Sequence, residues 1–131
     1  MTVSSNSKTR IEYSEALGIN VSTSYTDILL IDSRKISDSV IVINNTGSNS
    51  ATYIIYGTPK NGITPVITDS SWINLTDSGR NPSEYVHTTS VTIPAGKRFA
   101  ETFSNKWGWV LIQANSDLGT TLDIYHRGST L

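Results

Sequence analysis

Apolar residues in this chain come in short β-branched or aromatic runs separated by turn-forming residues, and no stretch keeps a helical period. The runs Tyr25 to Ile31, Val40 to Ile43 and Thr52 to Tyr56 are bounded by Asp32-Ser33-Arg34-Lys35, by Asn44-Asn45-Thr46-Gly47 and by Gly57-Thr58-Pro59. Each reads as a strand. Thr64 to Thr68 is a weaker one, and Tyr85 to Ile93 alternates with the period of a half-buried strand until Pro94-Ala95-Gly96 stops it. Arg98 to Phe103, Trp107 to Ala114 and Thr120 to His126 bring the total to about eight or nine short strands. Arg10 to Leu17 stays open between strand and helical turn, because Ile11, Tyr13 and Leu17 satisfy neither period. Asp69 to Pro82, with Trp72, Ile73 and Leu75 among polar residues, reads as an extended loop with a buried anchor.

Short strands divided by turn chemistry predict an all-β fold, an antiparallel β-sandwich of jelly-roll or Ig-like type, with hairpins and no helical layer. Asn45-Thr46-Gly47-Ser48-Asn49 is read as a hairpin loop in which Gly47 supplies a positive φ. A length of 131 residues suits one core. Residues 1–10 are polar and unpatterned and read as a flexible N-terminal arm, leaving 11–131 as the sandwich domain.

Three runs depart from simple alternation. Ile28-Leu29-Leu30-Ile31, Val40-Ile41-Val42-Ile43 and Tyr53-Ile54-Ile55-Tyr56 are apolar on both faces, as strands covered on both sides are. A subunit interface on the outer face is the expectation, with Ile41, Ile43 and Ile54 as its candidates. Ser4, Ser5, Asn6, Lys8 and Arg10 of the arm are the other partner-binding candidates.

Composition narrows the chemistry. Ser and Thr supply 36 of the 131 residues while charged residues make up 16%, and the formal charge is −1 with neither sign in a block. Such a chain carries no electrostatic footprint for nucleic acid or an anionic membrane. The absence of cysteine removes disulfides, thiolate nucleophiles and zinc-finger spacing. The aspartates stand singly, without the close spacing of a calcium loop, so no metal or other cofactor is expected. His87 and His126 sit in no catalytic motif, and the chain is read as non-enzymatic; a small hydrolase depending on one of them is the least favoured alternative. Among the aromatics, Trp72 and Trp107 are the candidates for stacking on a sugar ring, with Trp109 assigned to the core. The polar N-terminus contains no apolar stretch of signal-peptide type, so synthesis in a host cytoplasm is expected.

Two stretches carry a resemblance. Ser39-Val40-Ile41-Val42-Ile43-Asn44-Asn45-Thr46-Gly47 continuing through Ala51-Thr52-Tyr53-Ile54-Ile55-Tyr56-Gly57-Thr58, and Trp107-Gly108-Trp109-Val110-Leu111-Ile112-Gln113-Ala114 with Thr120-Thr121-Leu122-Asp123-Ile124-Tyr125, resemble small β-sandwich modules of bacteriophage virions of the head-decoration or capsid-cement type. That resemblance implies a structural protein located in the virion, binding a major capsid protein or other virion proteins and stabilising the shell. A homo-oligomer, with a trimer favoured, is expected by the same analogy, and it transfers no binding residue. A carbohydrate- or receptor-binding module using Trp72 or Trp107 is the alternative.

Overall fold

The computed structural model describes residues 10–62, 68–75, 90–104 and 107–130. Within them lie nine strands and no helix: β1 (Arg10–Val21), β2 (Thr26–Asp32), β3 (Asp38–Asn45), β4 (Ala51–Thr58), β5 (Ile73–Asn74), β6 (Val91–Ile93), β7 (Arg98–Ser104), β8 (Trp109–Asn115) and β9 (Thr120–Thr130). One sheet runs β1-β9-β3-β7; the other runs β2-β8-β4, with β5 and β6 both paired to β4. Among the described residues every strand pairing is antiparallel.

The pairing is nested. First pairs with last (β1 with β9), then β2 with β8, β3 with β7, and β4 with β5 and β6. Chain segments that close on one another from the outside in, then wrap into two sheets, form a jelly roll. The sheets face each other across one core. Ile41 and Ile43 of β3 and Leu122 and Ile124 of β9 meet Tyr53 and Ile55 of β4 and Val110 and Ile112 of β8 there.

The loops between successive long strands cross from sheet to sheet, which corrects the expected hairpin between β3 and β4. These two strands lie in opposite sheets, and the Asn45–Asn49 loop is an arch over the end of the sandwich. Turn residues reverse a chain equally well within a sheet or across two, so loop composition alone does not separate the cases. Gly47 is corrected with it: its φ is not positive, and glycine is required because a Cβ would strike Thr120 Oγ1 and lie 2.7 Å from the Thr121 nitrogen. What shapes the arch is the fully buried Asn45 side chain. Its Nδ2 donates to the carbonyls of Asn49 (2.8 Å) and Ile93 (3.0 Å), while its Oδ1 accepts from Gly47 N (3.2 Å) and Thr120 Oγ1 (2.8 Å).

Of the weaker expectations, Arg10 to Leu17 is strand. A bulge between Ala16 and Ile19, where Gly18 has φ 61°, shifts the register and hides its period. Leu75 is the buried anchor of the stretch after Asp69. Residues 64–67, 76–82 and 85–89, parts of two expected strands and a loop, lie outside the described residues.

Candidate functional site

The two-sided apolar runs resolve once each side chain has a direction. In β3, Ile41 and Ile43 point into the core and are fully buried, so they are corrected as outer-face contacts; the outward positions hold half-buried Val40 and Val42. In β4, Ala51, Tyr53 and Ile55 belong to the core while Ile54 is on the opposite face, 9% exposed. On that outer face Ile54 stands opposite Gln113 and Tyr56 opposite Leu111, and Leu111 stands opposite Leu30 of β2. An apolar row therefore crosses the outside of the sheet and ends at Leu30, 43% exposed.

On the side away from the core, β1 presents Tyr13 and Leu17 with Glu15 between them. Tyr13 and Leu17 are 58% and 52% exposed, whereas Ala16 and Ile19 pack on the core. Among the described residues β1 pairs with β9 alone, which puts this twelve-residue strand at the edge of its sheet. An edge strand with exposed apolar side chains is a template for association.

Between the edge strands β1 and β2 the sandwich opens into a cleft of about 720 Å³. Glu12 and Ser14 of β1 form one wall, Leu30 and Ile31 of β2 the other, with Arg34, Lys35 and Asn61 among its remaining lining residues. His126 of β9 also lines it, 2% exposed. Its Nδ1 is 3.2 Å from Ser14 Oγ on β1 and its Nε2 is 3.0 Å from Ser39 Oγ on β3, so three adjacent strands contribute one hydrogen-bonded row. Burial holds His126 below the ordinary histidine pKa, which keeps the ring neutral. A neutral imidazole has one N–H and one lone pair, so one serine donates to the ring while the other accepts from it.

Four charged residues, Glu12, Asp32, Arg34 and Lys35, line the cleft. Arg34 Nε and Nη2 donate to the two carboxylate oxygens of Asp32 at 2.7 and 2.6 Å, an arrangement that lowers the Asp32 pKa. The guanidinium carbon also lies 4.9 Å over the Trp109 ring, whose Nε1 donates to the Gly62 carbonyl at 3.2 Å. Farther off, Lys60 holds Asp69 at 2.5 Å and pulls its pKa down to about 2. Among the described residues no three His, Asp or Glu side chains come close enough together to hold a metal ion.

The stacking candidates are not brought together. Trp107 packs against the core beside Gly57, and Trp72 is half-buried in the turn after Asp69. Trp109, assigned to the core from sequence, instead lies on the outer face beneath Arg34. Ser4, Ser5, Asn6, Lys8 and His87 lie outside the described residues; the backbone of Arg10 pairs with Thr130 at the start of β1. The Ser14–His126–Ser39 row carries no sequence signal, because 112 and 87 residues separate its hydrogen-bonded partners.

One prediction follows from His126. A folded-state pKa below the unfolded value of about 6.5 means that the unfolded chain binds the proton first. The histidine's contribution is then intact above about pH 6.5 and erodes as pH falls toward the folded value, before most carboxylates titrate. Thermal melts between pH 7.5 and about 5.5 are expected to show a falling Tm that is flattened in His126→Gln. An equal slope in both proteins would assign the effect elsewhere.

No protein-family model and no curated protein sequence matches the chain. Solved structures share the fold. A protein of Bacillus endospore appendages, described as a family of disulfide-linked pili, aligns at TM-score 0.54 and 8% identity over 99% of this chain and 96% of that one. The PBSX exported protein XepA aligns at TM-score 0.57 and 14% identity over 89% of this chain, which spans 36% of XepA. The SPBc2 prophage-derived protein YomS aligns at TM-score 0.51 and 8% identity over 92% of this chain and 96% of that one. Likeness at these identities establishes a common jelly-roll fold, shared with proteins of a pilus and a prophage.

Proposed function

We propose that this chain is a non-enzymatic structural subunit of a virion, a decoration or cement protein that binds a capsid shell and stabilises it. The observation that carries the reading is β1: a twelve-residue strand at the end of its sheet, beside which no other described strand pairs on the outer edge, with Tyr13 and Leu17 exposed. A monomer that exposes such a strand has reason to cover it, by pairing with another copy or with a capsid subunit. The likeness to a pilus protein and to a prophage-derived protein supports an assembly role. Any assembly here does without disulfides, unlike the disulfide-linked pili, since the chain has no cysteine.

In this reading a closed homo-oligomer, with a trimer favoured, bridges neighbouring copies of the major capsid protein or other virion proteins. Binding to the closed shell alone then stabilises it by mass action.

Light scattering coupled to size-exclusion chromatography, over a range of concentrations, tests the oligomer. The full chain is expected to run as a closed oligomer, and Tyr13→Lys with Leu17→Lys to run as a folded monomer by circular dichroism. Deletion of residues 1–10 is expected to lower occupancy on purified virions without unfolding the domain. A full chain that stays monomeric and leaves the virions bare would sink the proposal.

A further inference from the structure

We propose that the cleft between β1 and β2 is a binding site for a neutral, hydroxyl-rich ligand of the saccharide class, a role beyond assembly. The cavity, about 720 Å³, falls within the range of small-ligand sites. Its chemistry is selective. The hydroxyl of half-buried Ser14 opens onto the cleft and is tied on its inner side to His126. When the ring lone pair faces Ser14, that hydroxyl donates inward and offers lone pairs to the cleft. When the ring N–H faces it, the hydroxyl accepts inward and offers its proton outward.

Ser39, on the far ring nitrogen, is a hydroxyl as well, so it complements either tautomer. The site thus presents a donor or an acceptor without moving a heavy atom, which matches a partner hydroxyl able to play both parts. It offers no charge from its floor, because burial keeps His126 neutral. The charges lining the cleft balance, Glu12 and Asp32 against Arg34 and Lys35, and Asp32 occupies the Arg34 guanidinium through two hydrogen bonds, so no net charge draws an ion to the site. Leu30 supplies an exposed apolar surface of the kind on which the C–H face of a sugar ring packs, and Asn61 adds an amide. The alternation of inward polar groups and an apolar wall is that of a saccharide, amphipathic by face.

Two-dimensional amide NMR on the full chain, titrated with lactose, maltotriose and triacetylchitotriose at millimolar concentration, tests this, with sialyllactose as the anionic control. The expected result is shifts at Ser14, Leu30, Asn61 and His126 with at least one neutral sugar. Ser14→Ala should weaken that binding about ten-fold, the value of one hydrogen bond. Leu30→Trp, at an exposed position, should block it while the spectrum stays that of a folded domain. No shift with any of the three sugars overturns the proposal. So do shifts confined to Trp72 or Trp109, binding insensitive to both variants, or binding of sialyllactose alone.

Discussion

Replacing Asn45 by Leu is expected to cost about 4 kcal/mol, enough to leave a small domain at the edge of folding. Leu keeps the branching of the Asn side chain but none of its hydrogen bonds, and its bulkier methyl groups add overpacking at a fully buried position. The two amide protons of Asn45 serve the carbonyls of Asn49 and Ile93, and its oxygen serves the Gly47 amide and the Thr120 hydroxyl. Removal strands these groups where the side chain was fully buried, and each unsatisfied buried group costs roughly 1–3 kcal/mol. The strands tied together, β3, β6 and β9, belong to both sheets, so the arch end of the sandwich loosens as a unit. Urea denaturation at an unchanged slope measures the loss. Asn44→Ala, one residue back and half-buried on the outward side of β3, is expected to cost about 1 kcal/mol or less. Equal losses at the two positions would mean that the network is not what holds the arch.

Gly108→Ala is expected to be comparably severe, at about 3 kcal/mol or more, for a steric reason. The added Cβ would fall on the Lys60 carbonyl oxygen and lie 2.7 Å from its carbon. Both are backbone atoms and cannot swing aside as a side-chain tip does. Gly108 is also pinned from both sides, its N–H donating to the Thr58 carbonyl at 2.7 Å and its carbonyl accepting from Ser33 N at 3.1 Å. Gly62→Ala is the matched control: nothing lies within 4 Å of the new methyl and its φ is not positive. There the change is expected to be neutral or to add a few tenths of a kcal/mol by restricting the unfolded chain. If the two variants melt together, the Lys60–Gly108 approach has no role in stability.

Much of the strand inventory was legible because it rests on local chemistry. Val, Ile, Thr and Tyr in short runs suit a pleated surface, and Asn, Gly, Ser and Pro break them, so β2, β3, β4, β7, β8 and β9 were placed within a few residues of their observed bounds. β1 was left undecided for an equally local reason. Its bulge at Leu17 and Gly18 breaks the period, and its largest apolar side chains, Tyr13 and Leu17, point away from the core. Hydrophobic patterning assumes that apolar means inward, and this strand turns Ala16, Ile19 and Val21 inward but its two largest apolar side chains outward.

The cleft was not legible at all. Ser14 and Ser39 are two among 36 hydroxyl residues, and His126 has no motif around it. Only the nesting of first strand with last sets Ser14 opposite His126, and only the neighbouring β3–β9 pairing brings Ser39 to the other ring nitrogen.

From local chemistry alone, then, the sequence specifies an all-β fold of short strands without cysteine, and no helix lies among the described residues. Those properties are sums of local preferences and of apolar surface, which do not depend on which strand lies beside which. Only the fold makes the loops with hairpin chemistry arches between sheets, turns Ile41 and Ile43 to the core and Tyr13 and Leu17 to solvent, and joins Ser14, His126 and Ser39 in one hydrogen-bonded row. Each depends on contacts between segments far apart in the chain, where propensity is silent and the choice falls to the arrangement that buries the most apolar surface while leaving buried polar groups paired.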